Sequence, residues 1–266
     1  ASIPTMNCYI CTATAEYYFS KQFDRFGLDT VDYERCTACG TVYAQTLLEL
    51  PEHQWQSVCE NYHSSYRGSG ENPDDPNWHV RLEQQAKVLS KLADIGLLAT
   101  DKPWLDYGCG EGELAGMLDT RIGQIARYDR YWKKEGYLQE TDLIPGHFDM
   151  VISTSTLEHL RSRSNMDALA RLVTDDGCLG LHTMVRGEIP RDPNWFYLLP
   201  VHTIFYTNRG MAQLFDQWGF RSSLYVVEAR LWVWFRKPLK QLLKEKPELV
   251  SIPGWHVTEG FMAYWP

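Results

Sequence analysis

The stretch "LDYGCGEGELAGML", residues 105–118, sets Gly108, Gly110 and Gly112 at alternate positions just behind Leu105-Asp106, and an apolar helical pattern follows at once. "WLDYG" reads as a short strand, the glycines as a turn, and "ELAGML" as the first turns of a helix. A turn almost bare of side chains lets a ligand approach the backbone closely, and the helix N-terminus behind it favours negative charge. Strand, glycine turn and helix in this order form a nucleotide-binding corner and predict an α/β fold, with the ligand beyond the carboxyl end of the strand. The order is G-x-G-x-G, with Asp106 two residues ahead of the first glycine, and not the G-x-G-x-x-G of dinucleotide sites.

Two stretches further along belong with this corner. "QIARYDRYW" reads as a second strand ending at Asp129, where a carboxylate can accept hydrogen bonds from a ribose diol. "HFDMVISTSTLEHL" reads as a buried strand, Met150 to Ile152, opening onto a polar loop. Taken together, D-x-G-x-G-x-G, the strand ending at Asp129 and the F-D-x-V strand with its E-H-L segment resemble the motifs of class I S-adenosylmethionine-dependent methyltransferases. The resemblance implies a Rossmann-like seven-stranded sheet with an antiparallel edge strand. It also implies a cofactor held by Asp106, Gly108, Cys109, Gly110, Gly112, Asp129, Arg130 and Ser153. A Rossmann-like domain for another nucleotide is the competing reading. Only twenty residues separate Asp129 from Asp149, so the intervening helix and strand must be abbreviated. Glu140 and Asp142 are weak candidates for the adenine contact.

The N-terminal segment carries different chemistry. Cys8 and Cys11 form one C-x-x-C pair, and Cys36 and Cys39 in "RCTACG" form a second. Two such turns aim four thiolates at one centre, the pattern of a tetrahedral structural zinc with no open coordination position; two redox dithiols or unrelated cysteines are the alternatives. "FSKQFDRFGLDTVDYERC" between the pairs suits short strands, and the whole reads as a zinc ribbon. Cys59, Cys109 and Cys178 read as small buried residues.

The expected organisation is a ribbon over 1–50 and a helical linker and cofactor lid over 51–100. A methyltransferase domain follows over 101–237, then an extension over 238–266 packed on the body. "HVRLEQQAKVLSKLADIGLL" has a helical apolar period through Val80, Leu82, Val88, Leu89 and Leu92. In "ENYHSSYRGSG", Tyr62, Tyr66 and Arg67 resemble the Y-x-x-x-Y segment that precedes the catalytic domain in zinc-ribbon methyltransferases. Such a segment folds over the cofactor, which makes Tyr66 a cofactor candidate. Ribbon, Y-x-x-x-Y, glycine motif and "NWFYLLPVH" together resemble the zinc-ribbon methyltransferases of glycan and natural-product pathways, to about Lys237.

Glu158 and His159 follow the Asp149 strand and should lie near the transferred methyl. A histidine titrates near neutral pH, so His159 is a candidate general base for an acceptor hydroxyl. Capping of the next helix is the plainer reading of the same pair. Ser153, Thr154 and Ser155 stand where further carboxylates would be needed, so no second metal is expected there. The insertion "EIPRDPNWFYLLPVHTIFYT" is long and aromatic, as substrate walls are. Trp195, Tyr197 and Tyr206 are expected to stack on an acceptor, and His202 is a second base candidate; for each aromatic, burial of the loop is the alternative.

A formal net charge of −8 disfavours a polyanionic partner, and no apolar run reaches the roughly 18–20 residues that span a bilayer. The N-terminus lacks the basic start and apolar core of a secretory signal, so a cytoplasmic setting is expected. The expected activity is methyl transfer from S-adenosylmethionine to a hydroxyl or amine of a small molecule or glycan intermediate. Two alternatives stand beside it: an RNA methyltransferase using the ribbon for its substrate, and a non-catalytic scaffold.

Overall fold

The computed structural model describes residues 5–67, 69 and 71–263. Residues 1–4 of the ribbon segment, Gly68 and Gly70 of the linker and 264–266 of the aromatic tail lie outside the described residues. The chain begins as an antiparallel meander of β1 (Ala15–Gln22), β2 (Thr30–Cys36) and β3 (Val42–Ala44). A short helix α1 (Gln45–Leu48) leads into α2 (Glu52–Ser64), and α3 (Trp78–Asp94) follows the linker. On α3 the apolar period buries Val88, Leu89 and Leu92, whereas Val80, at 57% exposure, falls on the solvent side.

Next come β4 (Trp104–Tyr107), α4 (Glu113–Ile122), β5 (Ala126–Tyr128) and β6 (Phe148–Thr154). Helix α5 (Arg163–Arg171) and strand β7 (Val173–His182) complete a parallel group. Helix α5 stops at Arg171, and "VTDDG" already belongs to β7. Strands β8 (Val185–Arg186) and β9 (Ile204–Thr207) flank the aromatic insertion, and α6 (Asn208–Gln217), capped by the Thr207 hydroxyl, follows. The chain closes with β10 (Ser222–Val226), β11 (Leu231–Phe235), α7 (Leu239–Glu245) and β12 (Trp255–Glu259).

The larger sheet has seven strands in the order β12-β10-β11-β7-β6-β4-β5. β5, β4, β6 and β7 are parallel, and β11, β10 and β12 are joined to them antiparallel. The edge strand is supplied by the C-terminal extension, whose "WHVTE" pairs with β10 instead of only packing against the body. At the other edge, the stretch between Asp129 and the start of β6 at Phe148 forms a single 3-10 turn, Glu140–Asp142, and no strand.

Side-chain alternation along each strand builds two core layers. In β11, Leu231, Val233 and Phe235 meet the α3, α4 and α7 side, while Trp232 and Trp234 meet α5 and α6. Each such aliphatic side chain contributes about 1.5–3 kcal/mol on full burial. Strands covered by helices on both faces need near-continuous apolar runs, which is why "MVI" and "LWVWF" lack polar alternation.

The second sheet has the order β1-β2-β3-β9-β8, so β9, which lies far along the chain, pairs antiparallel with β3. The cysteine-bearing meander therefore continues, through backbone hydrogen bonds, into the strand that closes the aromatic insertion.

Candidate active site

The carboxyl ends of β4, β5, β6 and β7 open into one cavity of about 580 Å³, within the usual range for small-molecule sites. The glycine turn lies at its floor. Gly108 and Cys109 donate their N–H groups to the Tyr128 carbonyl at 2.8 and 3.1 Å, and the Tyr137 hydroxyl donates to the Gly110 carbonyl at 2.8 Å. Gly108 has φ +74°, and a Cβ there would fall 2.3 Å from the Thr156 hydroxyl. Gly110 has φ +54°, but a Cβ there would meet nothing within 4 Å. The first glycine thus serves the protein's own packing, and the second leaves space open above the loop.

Asp106 is 2% exposed and has no ion-pair partner among the described residues. Burial raises its pKa to about 7, against the pull of Arg127 and of a hydrogen bond from the Ala115 N–H. Asp129 organises the floor. One carboxylate oxygen accepts the Gly110 N–H at 2.9 Å, and the other accepts the N–H groups of Tyr131 and Trp132, both at 2.9 Å. Arg130 lines the cavity and pairs with Glu52 at 3.3 Å.

The inner wall comes from the turn after β6 and from the insertion. Glu158 is 3% exposed, and burial raises its pKa to about 7. Burial lowers His159 to about 4 and His202 well below its usual value, so both imidazoles are neutral near pH 7. His159 Nδ1 lies 2.8 Å from the Val201 carbonyl, and His202 Nδ1 lies 2.7 Å from the Tyr197 carbonyl. A carbonyl only accepts, so each Nδ1 carries the proton and each Nε2 keeps a lone pair. The two rings stand 5.0 Å apart, centroid to centroid.

Several sequence candidates sit elsewhere. Ser153 is fully buried within β6, and the adjacent Thr154, Ser155 and Thr156 line the cavity in its place. Trp195 and Tyr206 are core residues outside the lining. Trp195 packs on Phe205 and under Arg186, and the Tyr206 hydroxyl donates to the Leu157 carbonyl at 2.8 Å. Of the three predicted stacking residues, Tyr197 reaches the cavity, and its neighbour Phe196, which the sequence reading did not single out, lines it too. Glu140 and Asp142 lie outside the lining, with Asp142 accepting the Gln139 N–H in a capping box.

The outer wall is formed by α2 and the start of α3, with Tyr62, His63, Tyr66, Arg67 and Arg81 among the lining residues. Tyr66 and Arg67 of the linker line this wall beside the two helices. The Arg67 guanidinium lies 3.3 Å from the centre of the Trp132 ring and joins linker to floor. His63 and Arg81 escaped the sequence reading, because the helical pattern of either segment gives no sign of which face meets a ligand.

The four N-terminal cysteines are free and come together. Cys8 and Cys39 sulfurs are 3.6 Å apart, Cys11 and Cys36 sulfurs 3.3 Å, and all four lie within 4.8 Å of one another. Zinc–thiolate bonds of about 2.3 Å at tetrahedral angles put sulfurs roughly 3.8 Å apart, close to this spacing. Backbone N–H groups of Ile10, Ala38 and Cys39 point at the sulfurs from 3.4 Å. The cluster packs against α6, where Gln217 donates to the Ile10 carbonyl at 2.9 Å.

Fold and glycine corner define a class I S-adenosylmethionine-dependent methyltransferase. A family described as a methyltransferase domain matches residues 78–223, more than half of the chain, and the protein belongs to that family. No curated protein matches it. Among solved structures it is similar to magnesium protoporphyrin IX methyltransferase from Synechocystis PCC 6803 with bound S-adenosylhomocysteine. That pair is 17% identical with a TM-score of 0.46, covering 70% of this chain and 97% of the other. An O-methyltransferase family protein from Burkholderia thailandensis is 14% identical with a TM-score of 0.48, covering 73% of this chain and 67% of the other. Likeness at this level is silent on the substrate.

Proposed function

We propose that this methyltransferase acts on a hydroxyl, or an amine, of a small molecule or glycan intermediate, with its N-terminal cysteines holding a structural zinc. The observation that carries the reading is a shared cavity: the glycine turn and the Glu158, His159 and His202 group open into the same enclosed space.

The residues present fit S-adenosylmethionine. Asp106 is a buried carboxylate without an ionic partner, suited to the cofactor's ammonium group. The open side of Gly110 admits its amino-acid end, and Asp129, beyond β5, retains acceptor capacity for ribose hydroxyls. Cys109 and Arg130 would frame the same end, and Tyr66 would cover it, whereas Gly112 lies outside the cavity lining and faces Tyr137 and Arg127, serving the turn at the start of α4. When bound, the cofactor supplies an activated methyl on a sulfonium.

The chain's own part is alignment and control of a proton. Tyr197 and the histidine pair would hold the acceptor, with a neutral Nε2 of His159 or His202 taking up its proton. An imidazole with its pKa pushed down to about 4 is a weak base, so a hydroxyl acceptor needs further acidification. The four-thiolate site would have no open position and would serve the fold alone.

Native mass spectrometry of the purified protein, with and without added S-adenosylhomocysteine, is the test. The expected spectrum carries the mass of a zinc at the cysteines, lost on denaturation, and of one nucleotide. A protein that takes up no nucleotide at saturating S-adenosylhomocysteine overturns the proposed cofactor site.

A further inference from the structure

The weakness of the histidine base directs attention to what else the Glu158 group can do. One ligating atom from each of Glu158, His159 and His202 lies within 4.8 Å of the others. A Glu158 carboxylate oxygen is 3.7 Å from His159 Nε2, a separation two ligands of one cation adopt after a shift of a few tenths of an ångström. The second oxygen, Oε2, is buried with no hydrogen bond of normal geometry; the Thr183 hydroxyl is the polar side chain beside the carboxylate, and no arginine or lysine among the described residues forms an ion pair with it.

Both histidines are set as metal ligands are set. Each Nδ1–H is spent on a backbone carbonyl, which fixes the ring and leaves Nε2 as the donor atom. The two segments bearing these side chains are tied together. Thr203 donates its N–H to the Glu158 carbonyl at 2.7 Å and its hydroxyl to the same oxygen at 3.0 Å, and Tyr206 anchors Leu157. The ligand atoms are therefore held in place before any ion arrives. Thr156, whose side chain packs on Gly108, begins the turn that carries Glu158 and His159, so the group adjoins the cofactor floor.

We propose that Glu158, His159 and His202 form a three-ligand site for a divalent transition metal, whose open positions take the acceptor oxygen. Two imidazoles and a carboxylate select zinc, iron(II), cobalt or manganese over magnesium or calcium. Three protein ligands leave room for an exogenous oxygen, and a bound cation acidifies a hydroxyl that neutral imidazole alone deprotonates poorly. The third ligand comes from the insertion, which replaces the upstream carboxylates that Ser153, Thr154 and Ser155 do not provide. The acceptor clause rests on the methyltransferase reading; the metal site does not.

The test uses the tag-free full chain, stripped of metal by a chelator and titrated with cobalt(II). The cysteine set should bind with a thiolate-to-cobalt charge-transfer band, and a second equivalent should bind with ligand-field absorption alone. Glu158→Gln and His202→Gln should each abolish the second equivalent and leave the first. Anomalous diffraction from a cobalt-soaked crystal of the unaltered protein should place a peak among the three side chains, a result independent of how the variants fold. A wild-type chain that binds a single equivalent, a second equivalent that survives both substitutions, or an empty anomalous map overturns the site. S-adenosylhomocysteine binding in the same samples separates the two readings: nucleotide without a second cobalt sinks the metal alone, and cobalt without nucleotide sinks the acceptor clause.

Discussion

Replacing Asp106 by asparagine should stabilise the ligand-free protein at high pH while weakening its hold on the cofactor. The carboxyl titrates at about 7 in the fold against 3.8 for the free side chain, because burial penalises its charge. A folded-state pKa above the unfolded one favours folding only while the group is protonated. That contribution is complete below pH 3.8 and is lost as the pH rises through 7. About three pK units correspond to about 4 kcal/mol at most, of which roughly 2.5 kcal/mol falls between pH 5 and pH 8. Asparagine cannot ionise, and any cost of its buried amide is the same at both pH values. The melting temperature of Asp106→Asn minus that of the wild type should therefore grow by about 5–10 °C from pH 5 to pH 8. Differential scanning fluorimetry at matched ionic strength measures it. Added S-adenosylhomocysteine should reverse the order at pH 8, since loss of a charged hydrogen-bond partner weakens binding by about 10- to 100-fold. A difference that stays constant with pH refutes the assigned burial cost, and equal affinity for the nucleotide refutes the role given to Asp106.

Gly110→Ala should cost only about 1–2 kcal/mol of stability, the penalty of a left-handed φ, yet lose nucleotide binding by calorimetry, because its Cβ enters open space above the turn. Gly108→Ala should instead lower the melting temperature strongly, since its Cβ meets the Thr156 side chain. Tyr206→Phe should destabilise by about 0.5–1.5 kcal/mol in a urea titration by removing one buried hydrogen bond, since the Leu157 carbonyl keeps the Leu160 N–H. Zinc chelation should lower the melting temperature and raise proteolysis at β1–β3; an unchanged cleavage pattern would speak against a structural ion.

The parallel half of the large sheet was legible because its signals are local. "WLDYG", "ARYD" and "FDMVIST" are apolar runs of strand length, and the glycines after the first mark where backbone must turn left-handed. The same locality explains the cysteine pairs. What failed was anything that depends on a partner distant in sequence. "WHVTE" is half polar and reads as an aromatic tail, and only β10, already in place, makes it a strand. Trp195 and Tyr206 look like a ligand wall in a loop rich in aromatics, but composition cannot say which rings the loop needs for its own burial. Ser153 is fully buried in β6, and the polar groups that line the cavity come at the last residue of that strand and just past it, at Thr154 to Thr156.

His202 shows how a long-range pairing completes a site. Its neighbour Thr203 is a junction: the N–H and hydroxyl bind the turn bearing Glu158, and the carbonyl accepts the N–H of Ala44 at the end of β3 at 2.8 Å. From there β9 runs beside β3 to Thr207, whose hydroxyl donates to the Cys39 carbonyl at 2.5 Å. One end of β9 thus fixes the inner wall of the cavity and the other touches the cysteine cluster. Loosening the cysteines removes a support of β3, which with β8 holds β9 in register. Cys11→Ser should therefore weaken acceptor turnover more than it weakens S-adenosylhomocysteine binding, because the glycine floor belongs to the other sheet. Measuring both in that variant checks the order; a parallel loss of the two would mean that the sheets unfold as one unit.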